Sequence, residues 1–125
     1  MDRSFLFVGL GGFLGSISRY WVQQYFLRYV PGGFPLGTFL VNVGGCLLIG
    51  LFLGFFERHT AATLAWRLFL TTGFCGGFTT FSTFAYESVV LGRTDELLLL
   101  AAYAAGSLLV GMLAAFLGFW LARFV

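Results

Sequence analysis

Hydrophobic residues fall into four long runs separated by short polar clusters, and each run approaches the ~20 residues that a membrane-crossing helix needs. The first starts at Phe5 and continues to about Trp21 or beyond, with Arg19 late in it; Pro31-Gly32-Gly33-Phe34-Pro35 closes it as a turn. The second, Leu36 to Phe56, has 21 residues without a charge and ends at Glu57-Arg58-His59. The third, Leu68 to Tyr86, has 19, flanked by Arg67 and Glu87. The fourth, Leu97 to Ala122, has 26, between Asp95-Glu96 and Arg123. The pattern predicts an all-α membrane protein with four transmembrane helices per chain. The first run reads as a span and not a cleaved leader, because only Arg3 precedes it and no small-residue cleavage site follows before the second run. The short loops predict a single four-helix domain over residues 1–125.

The third run departs from plain lipid-facing chemistry. Thr79-Thr80-Phe81-Ser82-Thr83-Phe84 alternates hydroxyls and phenyl rings just after Gly76-Gly77. Glycine pairs loosen a helix. Backbone freed at membrane depth is tolerated only where it is buried in protein or lines a water-filled path. The sequence therefore predicts a helix broken at Gly76-Gly77, beside a site for an ion. The uncharged stretch is centred on residue 77, which puts Phe81 and Phe84 roughly 6 to 11 Å from the midplane and Glu87 about 15 Å out. Phe78, Phe81 and Phe84 share one helix face, either as core packing or as ring edges, which carry positive electrostatic character, presented to an anion.

Composition agrees with a bilayer. Hydrophobic residues make up 59% of the chain and charged ones 10%, against about 25% charged in soluble domains. Seven Arg and no Lys are too few and too scattered for a nucleic-acid face. Cys46 and Cys75 lie in apolar runs without CxxC spacing and read as small buried hydrophobes. His59 is the only histidine, so no His-based metal cluster is available and no nucleophile–base pair suggests an enzyme.

Four spans put both termini on one side, with Arg3, Arg58, Arg67 and Arg123 there and Arg28 and Arg93 opposite. So weak a bias permits insertion in both orientations. Larger transporters carry inverted repeats within one chain, and a chain of 125 residues reaches that symmetry by pairing with its inverted copy. Two inverted chains meeting at the break would bring paired carbonyls around one point, suited to a small monovalent cation. Gly11 with Gly15, Gly50 with Gly54, and Ser107 with Gly111 and Ala115 have the spacing of close helix packing.

Polar side chains inside the spans are few and mark candidate pathway positions. Asn42 follows Thr38 by one turn, and Tyr103 and Ser107 lie four apart on one face. Each of these either bonds between helices or lines a pore. Arg19 either snorkels to the headgroups or draws anions into a vestibule.

The chain resembles the CrcB/Fluc fluoride channels over nearly its whole length. The resemblance rests on Gly12-Phe13-Leu14-Gly15 with Arg19-Tyr20, on Gly37-Thr38-Phe39-Leu40-Val41-Asn42 with Gly45, and above all on Gly73-Phe74-Cys75-Gly76-Gly77-Phe78-Thr79-Thr80-Phe81-Ser82-Thr83-Phe84. It implies an antiparallel, dual-topology homodimer in the cell (inner) membrane, with two narrow pores. It implies fluoride passing the rings of Phe81 and Phe84, with the Asn42 amide nearby. On this reading Tyr103 and Ser107 would continue the pathway as a polar track, Thr38, Thr80 and Ser82 would add to it, and Arg19 and Glu87 would stand at the vestibule. A structural sodium ion would be held by main-chain carbonyls of Gly76 and Thr79. The polar track of the fourth helix continues in some members with another hydroxyl, where this chain has Gly111 and Ala115. The implied physiology is export of fluoride that enters as HF and is trapped by ionisation. Two rivals remain on the residues alone. A small multidrug exporter would need a deep carboxylate, and a non-transporting scaffold would leave the polar string unexplained.

Overall fold

The computed structural model describes residues 2–125. It is helical throughout. Helix α1 spans Ser4–Tyr29 and α2 spans Leu36–Arg58. Helix α3 begins at Leu64–Leu68, widens through a π-helical stretch, Phe69–Cys75, and ends in the turn Gly76–Phe78. Helix α4 spans Phe81–Arg93, and α5 spans Leu97–Leu121 before a final 3₁₀ turn, Ala122–Phe124. Three stretches, Ser4–Tyr29, Leu36–Arg58 and Leu97–Phe124, are long and apolar enough to cross a membrane. Helices α3 and α4 lie between the second and third of these in the chain.

The expected break at Gly76-Gly77 is not found at those residues. Both glycines are helical, and the chain leaves the helix at Thr79 (φ −84°, ψ 157°) and Thr80 (φ −149°, ψ 117°). Gly77 serves contact instead, while Gly76 faces open space on the single chain. A methyl on Gly77 would overlap the Gly12 carbonyl, and one on Gly15 would overlap the Phe74 carbonyl. Absence of side chains on both helices lets α1 lie directly on the backbone of α3, the arrangement that favours association in lipid. The cost of glycine in a helix is offset there by packing.

The same device joins α2 to α5, the most extensive helix pair. Gly50 faces the Ala115 carbonyl and Gly118 faces the Leu47 carbonyl, each too closely for a Cβ. Gly54 sits against Ala122, whose methyl a new Cβ would approach to 2.7 Å. Thus the small-residue faces at Gly11/Gly15, Gly50/Gly54 and Gly111/Ala115 are interhelical seams. Between α4 and α5 the chain reverses through Asp95 (φ 58°), a left-handed position that a short polar side chain tolerates.

Candidate functional site

The interruption between α3 and α4 organises the site. In a continuous helix the Thr80 N–H would bond to the carbonyl four residues back. Here it donates to Asn42 Oδ1 at 2.7 Å, and Asn42 Nδ2 donates to the Thr80 carbonyl at 3.0 Å. One carboxamide on α2 thus satisfies both backbone groups of an extended residue that is itself buried. The Thr80 hydroxyl caps α4 by accepting from the Thr83 N–H at 3.2 Å, a standard role for threonine at a helix start. It also donates to Thr83 Oγ1 at 3.0 Å. The Thr79 hydroxyl turns back to the Cys75 carbonyl at 2.9 Å.

A second cluster lies further along α4. Glu87 accepts from the Thr38 hydroxyl at 2.7 Å on Oε1 and from the Tyr103 hydroxyl at 2.6 Å on Oε2. Gln23 Nε2 donates to Thr38 Oγ1 at 3.0 Å. Side chains of α2 and α5 therefore meet the α4 carboxylate directly and α1 joins through Thr38, and Tyr103 is wholly buried there.

Aromatic rings connect the two clusters. Phe81 and Phe84 have centroids 5.7 Å apart, Phe84 meets Tyr103 at 5.0 Å and 60°, and Tyr103 meets Phe34 at 5.4 Å and 75°. Tilted and edge-on contacts of this kind set positive ring edges against neighbouring faces. Beside this column lies a cavity of about 490 Å³ reached by Asn42, Thr79, Thr80, Phe81, Phe84 and Ser107. The Ser107 hydroxyl is the one buried side-chain polar atom left without a partner among the described residues.

Most of the sequence-chosen residues therefore come together. Asn42, Thr80, Phe81, Phe84 and Ser107 share the cavity, while Thr38, Tyr103 and Glu87 form the carboxylate cluster. Ser82 is exposed at the start of α4, 3.4 Å from the Thr80 hydroxyl. Arg19 lies apart from Glu87, its Nε donating to the Gly77 carbonyl at 3.0 Å. Gly76 precedes the interruption and Thr79 begins it, and Gly76 is exposed on this chain. Gln23 and Phe34 were not anticipated, because the apolar pattern placed them beyond the first span. The extension of α1 to Tyr29 puts Gln23 one turn past Arg19, on the same face. No group of three His, Cys, Asp or Glu side chains that would hold a metal is present among the described residues.

Fold and site together define an all-α, multi-pass membrane protein with a polar and aromatic column at an interrupted helix. The profile of the family described as CrcB-like protein, Camphor Resistance (CrcB), matches residues 6–119. The chain belongs to this family. It is 39% identical over 121 residues to a protein of Flavobacterium psychrophilum, covering 97% of this chain and 98% of the relative. It is 45% identical over 123 residues to one of Nitratidesulfovibrio vulgaris, covering 98% and 99%. A Chlorobium luteolum relative is 46% identical over 115 residues, covering 92% and 88%. Each of the three relatives bears the name fluoride-specific ion channel FluC. The family is one of channels, not enzymes.

Proposed function

We propose that this protein is a fluoride-selective channel that exports fluoride from the cytoplasm across the inner membrane. The observation that carries the reading is one cavity shared by Phe81, Phe84, the unpaired Ser107 hydroxyl and the Asn42 amide, with the Tyr103 ring packed behind Phe84. Ring edges and hydroxyl donors replace the hydration of a small anion without a fixed cation to trap it. Several weak sites in series favour conduction, because an ion must leave as readily as it enters. The Asn42 amide has one N–H beyond that given to Thr80, and it is available to the anion. Ser82 contributes a further hydroxyl, Thr38 and Thr80, which donate to Glu87 and Thr83, shape the wall, and Glu87 belongs to the pathway's outer end.

The working unit in this reading is an antiparallel, dual-topology homodimer. Phe81 is 79% exposed on the single chain, and Gly76 and Ser82 are exposed beside it. Backbone polar groups bared to hydrocarbon cost several kcal/mol each, by rough estimate, so this face calls for a protein partner. An inverted second copy supplies one and makes two pathways. At the shared centre, carbonyls of Gly76 and Thr79 would hold a structural sodium ion. The chain fits such an ion: the Thr80 N–H is committed to Asn42 and the Thr83 N–H to the Thr80 hydroxyl, so neither closes a helical turn onto those carbonyls. When bound, the ion neutralises the converging carbonyl dipoles.

A multidrug exporter fits less well, since Glu87 already accepts from Thr38 and Tyr103. The deciding experiment is ion efflux from liposomes holding the purified protein. Fluoride efflux with chloride retained is expected; retention of both ions would overturn the reading.

A further inference from the structure

Arg19 was expected at the mouth of the pathway or among the headgroups. Its position is different. The Nε–H donates to the Gly77 carbonyl at 3.0 Å, in a half-buried setting. In an unbroken helix that carbonyl would accept from the N–H of Phe81. The chain turns away at Thr79 and Thr80, and the guanidinium occupies the place of the lost donor.

The register of α1 produces this. Gly12, Gly15 and Arg19 recur at intervals of three and four, so they share one face. The glycines of that face seat α1 on the backbone of α3: the Gly12 Cα lies 3.0 Å from where a Cβ on Gly77 would stand. A side chain one turn beyond Gly15 then reaches the end of α3. The last carbonyls of a helix carry partial negative charge, which a cation there stabilises. A planar Nε–H also fixes direction, which an ammonium on a flexible stem does not.

We propose that Arg19 is the positioning residue of the interruption: by holding the Gly77 carbonyl it sets the course of the chain from Gly76 to Thr80. Two side chains from neighbouring helices, Arg19 at Gly77 and Asn42 at Thr80, then brace the break from both ends. The direction of the Gly76 and Thr79 carbonyls follows from that bracing, a consequence that rests on the sodium reading above.

Arg19→Lys separates positioning from simple attraction, because it keeps the charge and loses the planar donor. Arg19→Gln loses the charge and is the second variant. The primary measurement is hydrogen exchange in the purified protein, with amides of α5 as the internal control for an intact fold. The Thr79 and Thr80 amides are expected to exchange about tenfold faster in both variants, as fits loss of a charge-assisted hydrogen bond. Wild-type exchange in Arg19→Lys would overturn the proposal, since charge alone would then suffice. A parallel measurement follows thermal unfolding against sodium concentration. In both variants the sodium midpoint is expected to rise about tenfold. A sodium-stabilised wild type with unshifted variants would overturn the link to the carbonyls. A wild type indifferent to sodium would overturn the sodium reading and that link together, and the exchange rates would still decide whether Arg19 holds the break.

Discussion

Asn42 and Thr80 form a two-way clamp: the carboxamide accepts the Thr80 N–H at 2.7 Å and donates to the Thr80 carbonyl at 3.0 Å. Residues on different helices thus complete a backbone that neither α3 nor α4 completes alone. The clamp holds Thr80 extended and leaves its hydroxyl free to cap α4. The channel reading places the anion beside the same amide, so one side chain serves both shape and passage.

Asn42→Asp tests this double use. The carboxylate still accepts from the Thr80 N–H, but it faces the Thr80 carbonyl without a donor and repels an anion. Unfolding is expected to become easier by about 1–3 kcal/mol. Fluoride efflux near neutral pH is expected to stop. Asn42→Leu should also stop it, as an apolar plug. Normal efflux through both variants would reduce Asn42 to a packing residue.

The two phenylalanines should differ in a way the single chain makes visible. Phe84 packs between Phe81 and Tyr103, whereas Phe81 is largely exposed. Phe84→Ile is expected to cost about 1 kcal/mol of protomer stability through the lost ring contacts, and Phe81→Ile much less. Both should slow fluoride efflux sharply while leaving the dimer intact. Efflux at the wild-type rate from a folded double Ile variant would remove the ring edges from the pathway.

Glycine substitutions check the seams between helices. Gly15→Ala drives a methyl into the Phe74 carbonyl, while Gly9→Ala meets no atom within 4 Å. Overpacking against backbone that cannot yield is expected to cost about 1–3 kcal/mol at Gly15. Gly9→Ala should leave stability unchanged or slightly raised, because alanine is the better helix former. Thermal unfolding of the two variants in one detergent gives the comparison. Equal behaviour would mean that α1 does not ride on the backbone of α3.

Three of the spans and most residues of the candidate site were legible because each rests on a local pattern. Uncharged runs gave α2 and α5 nearly to their ends, and the hydroxyl–phenyl string marked the third span. The location of the interruption was not legible. Gly76-Gly77 looked like the weak point, but glycine in a membrane helix also permits close approach, and at Gly77 it is Gly12 that makes use of this. The chain opens at Thr79 and Thr80 because Asn42, far away in sequence, supplies the replacement bonds. The role of Gln23 was hidden for a related reason. Hydropathy fades after Trp21, yet α1 continues to Tyr29 and carries the amide to Thr38. Long-range hydrogen bonds of this kind leave no periodic trace.

The antiparallel dimer can be tested by where the loops face. Thr60 lies in the connection between α2 and α3, and Thr94 in the one between α4 and α5, so a four-span chain puts them on opposite sides. In a background with Cys46 and Cys75 replaced by Ala, single cysteines at Thr60→Cys and Thr94→Cys are labelled from outside intact cells. With four Arg against two, the charge bias leaves insertion almost undirected, and about half of the molecules should be tagged at either position. Dimers purified after that labelling should carry one tagged and one untagged copy of each cysteine. The reason for expecting the mixture lies at the interruption. Inverted copies, related by a two-fold axis in the membrane plane, would bring Gly76, Phe81 and Ser82 of both chains together at mid-membrane depth. Labelling of one loop alone, with fluoride efflux intact, would show a single orientation and refute dual topology for this chain.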